Sequence, residues 1–101
     1  MILRRRRYGD VIERQLELFV SEDVDHLHDV DRALERYNAA EAADAEELYG
    51  DYQLAIEAAT DRLSELREAY ARTLDDPDAY VREFNTAVVR RWRAFALTIE
   101  D

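Results

Sequence analysis

Apolar side chains recur along this chain at intervals of three and four residues almost from end to end. Ile12, Leu16, Phe19 and Val20 form a first stripe, and Val24, Leu27, Val30, Leu34 and Tyr37 a second. Leu48, Tyr52, Ile56, Ala59, Leu63, Leu66, Tyr70 and Leu74 make a third, the longest. Val81, Phe84, Val88, Trp92, Phe95 and Ile99 make a fourth. This spacing puts each set on one face of an α-helix. No hairpin dipeptide separates alternating strands. The pattern therefore predicts helices near 11–20, 22–40, 45–74 and 77–99.

Polar residues mark where these helices begin. Asp10 followed by Glu13, and Asp44 followed by Glu47, have the spacing of a capping box. Ser21 with Glu22 and Asp23 offers a third start, its acids facing the positive end of the helix dipole. Asp76-Pro77 offers a fourth, with Asp as cap and Pro at the first helical position. At about 100° per residue the apolar stripe keeps one phase from Ile12 to Leu74. Asp23 and Glu41 interrupt that stripe, so breaks are expected near 21 and 41, the second marked by the restart at Asp44. The first two segments fit either two helices or one continuous helix. Burying all the stripes together predicts an all-α fold, an antiparallel bundle of three to four helices. The expectation is a single domain over 1–101, with residues 1–9 as a flexible Arg-rich N-terminus.

Composition narrows the functional classes. With 101 residues the chain is long enough for its own core. It has no Cys, which removes disulfides, thiolate metal sites and cysteine nucleophiles. Only two Gly are present, leaving no Gly-rich phosphate loop, and no nucleophile elbow occurs. There is no apolar run long enough for a membrane span, and no h-region follows the N-terminal arginines. A cytoplasmic protein is the default expectation, with no cofactor and no membrane partner.

Charge is the least ordinary property. Formal net charge is −10, and every basic residue is Arg. The balance is uneven: +2 over residues 1–20, −9 over 21–51, −3 over 52–76 and 0 over 77–101. An acidic chain of this kind stays soluble and is repelled by nucleic acid. A prokaryotic, salt-adapted or high-GC source would produce the same Lys-free composition independently of function.

Three sets of residues are candidates for chemistry. The first is the histidine stretch "EDVDHLHDVD", residues 22–31. On a helix His26 and His28 point about 160° apart, so they cannot share one ion from a single helix. Glu22, His26 and Asp29 lie on one side and form the candidate metal set; Asp25 with His28 is the lesser alternative. A complete ligand set would need a second chain or another helix. Without one, both histidines belong to a solvated acidic face. The second and third sets are basic: Arg4, Arg5, Arg6 and Arg7 at the N-terminus, and Arg90, Arg91 and Arg93 around Trp92. Arginine beside an aromatic suits phosphate and base contacts. The plainer reading gives Trp92 to the core and its arginines to acids of neighbouring helices. Topology separates the two, because a four-helix bundle brings the arginine clusters to one end and a three-helix bundle keeps them apart.

The sequence thus predicts no enzyme. It predicts a protein-interaction or structural domain that self-associates or binds a basic protein, with the acidic 22–51 region and the Arg-bearing termini as complementary surfaces. A carboxylate–histidine metal protein assembled across a dimer, and a nucleic-acid module using the arginines, are the alternatives.

Overall fold

The first two stripes, and most of the third, are found on helices in the computed structural model, which describes residues 7–99, whereas the fourth is divided between a helix and a returning segment. The helices are α1 (Gly9–Glu22), α2 (Val24–Asn38), α3 (Ala45–Ala71) and α4 (Asp78–Arg91). A single 3₁₀ turn (Arg93–Phe95) and the short α5 (Ala96–Ile99) follow. Among the described residues there is no strand.

Helix directions follow from cross-helix pairs. Tyr8 meets Tyr70, Gln15 meets Leu66, Asp23 meets Arg62 and Tyr37 meets Tyr49. Numbers fall on α3 as they rise along α1 and α2, so α3 runs antiparallel to both. Tyr80 against Tyr70 and Asn85 against Arg67 make α4 antiparallel to α3. It is therefore parallel to α1, with Tyr8 beside Tyr80 at one end and Phe19 beside Trp92 at the other.

The core sits where α1, α3, α4 and the returning C-terminal segment converge. Phe19, Leu63, Tyr80, Phe84, Val88, Phe95 and Ile99 are its largest fully buried side chains. Burying each contributes roughly 1.5–3 kcal/mol. Tyr80 did not stand out from the periodicity, yet it is fully buried. Its ring lies edge-on to Tyr8 at 5.4 Å and tilted against Tyr70 at 4.9 Å. Its hydroxyl donates to Gln15 Oε1, while Gln15 Nε2 donates to the Leu66 carbonyl at 2.7 Å. One glutamine thereby ties α1 to α3 and α4.

Several boundaries differ from the expected ones, each for a local reason. α1 opens at Gly9, before Asp10, with Tyr8 as its cap residue. The Tyr8 amide donates to Glu83 Oε1 at 3.2 Å, and its ring is clasped by Tyr70 and Tyr80. Tertiary packing, not a capping box, sets that end. Only Asp23 separates α1 from α2, and its backbone (φ −118°, ψ 29°) is not helical. Its carboxylate accepts from Arg62 Nε at 3.1 Å and makes no side-chain cap. Asp44 is the cap residue of α3, as the spacing predicts, though its side chain makes no cap bond. Asp76 Oδ1 accepts the Asp78 amide at 3.3 Å at the start of α4.

The largest correction concerns the fourth helix, which ends at Arg91 instead of running to 99. Trp92 turns the chain with an extended backbone (φ −136°, ψ 92°). Phe95 and Ile99 then pack back into the core. The return is held by Arg67, whose Nη1 donates to the Ile99 carbonyl at 2.9 Å and to Asn85 Oδ1 at 2.8 Å. Arg67 Nε donates to Glu68 at 2.8 Å. Arg67 is 7% exposed, so a cation sits in the core with its Nε and Nη1 hydrogen-bonded.

Candidate functional site

Helix lengths create the most unusual feature. α3 has 27 residues and spans about 40 Å, whereas α4 has 14 and spans about 21 Å. α1, α4 and the C-terminal segment meet α3 at Leu66, Arg67 and Tyr70, whereas towards its N-terminus Tyr49 meets Tyr37 of α2, and this part of the α2–α3 pair forms a two-helix arm. The molecule is accordingly elongated, 56 × 29 × 24 Å.

The arm holds few fully buried residues. Val30 and Ala33 are buried on α2, and the Tyr37, Tyr49 and Tyr52 rings lie in series at 5.2 and 6.2 Å, tilted against one another. The predicted stripe on α2 is only partly covered: Val24 and Leu34 are each 36% exposed and Tyr49 is 43% exposed. Around these side chains lies the acidic part of the chain. Asp23 pairs with Arg62, and Asp29 pairs with Arg32 at 2.9 Å on the exposed surface. Among the described residues the other arm acids have no ion-pair partner. The Asp23–Arg62 pair is the better sheltered. The guanidinium's pKa lies above its ordinary value, raised first by the hydrogen bond to Asp23 and then by that to Glu65.

Along α4 and the turn that follows it the chemistry is opposite. Arg82, Arg90 and Arg93 are exposed and have no ion-pair partner among the described residues. They edge two shallow grooves that meet at Thr86. One of about 530 Å³ is lined by Thr86, Val89, Arg90, Arg93 and Ala96. The other, of about 240 Å³, is lined by Ala79, Arg82, Glu83 and Thr86. The spacing Ala79, Arg82, Thr86, Arg90 keeps these on one helix face. Arg90 and Arg91 also lie in the last turn of α4, where positive charge complements the dipole. Arg91 behaves as the core reading of Trp92 expected, pairing with Glu17 at 3.6 Å and stacking over the indole at 5.1 Å. Arg82 was not singled out by the sequence, although its i, i+8 relation to Arg90 was the available signal.

Of the N-terminal arginines only Arg7 is described, and it is not brought beside Arg90, Arg91 and Arg93. Arg7 lies over Tyr8 at 5.5 Å, at the end of α1 that meets the start of α4. Arg90, Arg91 and Arg93 lie at the other end of α4. Arg4, Arg5 and Arg6 fall outside the described residues.

The histidines separate as their phase requires, His26 half-buried and His28 exposed. Glu22 and His26 stand on different helices across the Asp23 break, and Asp29 is engaged with Arg32. Glu22, His26 and Asp29 do not gather into a ligand set. Among the described residues no three His, Asp or Glu side chains come close enough to hold a metal ion. No helix of the described residues is long and apolar enough to cross a membrane.

Set against known proteins, the chain matches no family model, no curated protein and no solved structure.

Proposed function

We propose that this chain is a non-enzymatic protein-interaction domain, an antiparallel helical bundle whose α2–α3 arm is the binding surface for a cationic helical segment. The observation that carries this reading is the combination on the arm of part-exposed Leu34 and Tyr49 with unpaired carboxylates. A two-helix arm cannot bury its apolar residues on both sides by itself. Apolar side chains framed by like charges are the usual makings of a recognition surface, the first giving affinity and the second steering and specificity. The net charge of −10 disfavours nucleic acid as the partner.

The test is a titration at low ionic strength of the whole chain with an amphipathic arginine-rich helical peptide. A glutamine-for-arginine version of the peptide serves as control. Saturable binding that weakens with salt and is lost in the Asp31→Arg/Glu46→Arg variant is expected. Equal affinity for both peptides, or no binding to either, would sink the reading.

A further inference from the structure

The arm leaves apolar side chains uncovered. On α2, Leu27, Asp31 and Leu34 share one face at i, i+4 and i+7, with Asp31 exposed and Leu34 36% exposed. On α3, Tyr49 stands eighteen positions before Arg67, the residue that hydrogen-bonds Asn85 of α4. Because α3 is unbroken, five turns put Tyr49, with Ile56 between, on the side of α3 that Arg67 presents to α4. α4 ends at Arg91, Trp92 turns the chain back, and Leu34 and Tyr49 stay part-exposed. Asp31 on α2 and Glu46 and Glu57 on α3 are exposed.

We propose that this face of the arm is covered by a second copy of the chain, through the arginine face along its α4 and the turn that follows. The inference rests on the reading of the arm as an interaction surface and names its partner. Charge complementarity selects that face. Asp31, Glu46 and Glu57 make this face acidic, and residues 21–51 carry −9, so two arms placed against each other would bring like charge together. The exposed face of α4 is the chain's basic helical surface. Arg82, Arg90 and Arg93 flank Ala79, Thr86, Val89 and Ala96. Small and apolar side chains at its centre allow close approach to Leu34 and Tyr49, while the arginines reach the arm carboxylates. Because each copy carries one arm and one α4 face, two reciprocal contacts close a two-fold dimer.

Sedimentation of the whole chain across a concentration series, at low and high salt, tests this with two charge-reversed variants. One is Arg82→Glu/Arg90→Glu/Arg93→Glu; the other is Asp31→Arg/Glu46→Arg/Glu57→Arg. All six positions are exposed, and unchanged circular dichroism spectra verify that each variant folds. Wild type dimerises, and salt weakens the dimer. Each variant alone raises Kd at least about tenfold. An equimolar mixture of the two variants dimerises again, since the acidic arm of one meets the basic α4 of the other and the reversed pair also match. A wild type that stays monomeric at about 100 µM and low salt overturns the proposal, because that excludes even a Kd near 10⁻⁴ M. So does dimerisation that persists in the arginine-reversed variant, or a mixture that fails to reassociate. The peptide titration of the arm is read independently, so a monomeric chain that still binds the cationic peptide removes the second copy and leaves the interaction surface standing.

Discussion

Tyr80 and Arg67 show how single residues carry more of this fold than their types suggest. Burial pushes the Tyr80 phenol up to about 12, the hydrogen bond with Gln15 opposing it only in part. In the unfolded chain a tyrosine ionises near 10. The contribution is therefore intact below pH 10 and lost as pH rises toward 12, by about 1.4 kcal/mol per pH unit. Thermal melts between pH 8 and 12 should show this fall, and it should flatten in Tyr80→Phe. Replacing Arg67 by Met leaves the Ile99 carbonyl and Asn85 Oδ1 without their donor. A loss of about 2–4 kcal/mol in urea unfolding is expected. A loss under about 0.5 kcal/mol, typical of a neutral surface substitution, would mean that the guanidinium does not hold the C-terminal turn. Neither role was legible beforehand. Tyr80 lies one residue ahead of Val81, which the periodicity selected, and a charged residue at the helix interface reads as surface until its partners are seen.

At the level of elements, the stripes located four helices, but helix ends answered to the tertiary structure. Asp10 and Glu13 have capping-box spacing, yet α1 begins at Gly9 because Tyr8 is clasped by two other tyrosines. The fourth stripe reads continuously to Ile99, and Phe95 and Ile99 are indeed core, though reached by a reversal at Trp92. Periodicity reports which residues are buried and cannot distinguish a straight helix from one that folds back. The arm is the element with the least support. Amides of residues 34–38 and 46–50 should exchange at least about tenfold faster than those of α3 near Leu63. Hydrogen exchange followed by mass spectrometry would show it. Gly50 lies inside α3 at negative φ, with nothing within 4 Å of where a Cβ would stand. Gly50→Ala should stabilise the chain by about 0.5–1 kcal/mol, read from the denaturant midpoint.

For the whole molecule, charge is distributed by the fold more sharply than by the sequence. Residues 21–51 carry −9, and their acids are concentrated on a projecting arm with few cations beside them. Self-repulsion then opposes folding at low ionic strength. In dilute solution, raising salt from about 10 to about 500 mM should raise Tm by a few degrees, because the Debye length falls from about 30 Å to a few ångströms. A chain stabilised mainly by its surface ion pairs would show the opposite sign, and differential scanning fluorimetry distinguishes the two.

The sequence by itself determined the all-helical class, the residues that face inward along each stripe and the polarity of the charge. These follow from a 3.6-residue period and from composition, which are local properties. It also determined that His26 and His28 diverge, since residues two positions apart on a helix point about 160° apart. Tertiary structure alone decided which stripes would be covered. α4 stops and the chain turns back at Trp92, so the same apolar pattern that buries Leu16 against α4 leaves Leu34 open on α2. Burial depends on what lies across the groove, and no period within a single helix encodes its neighbour.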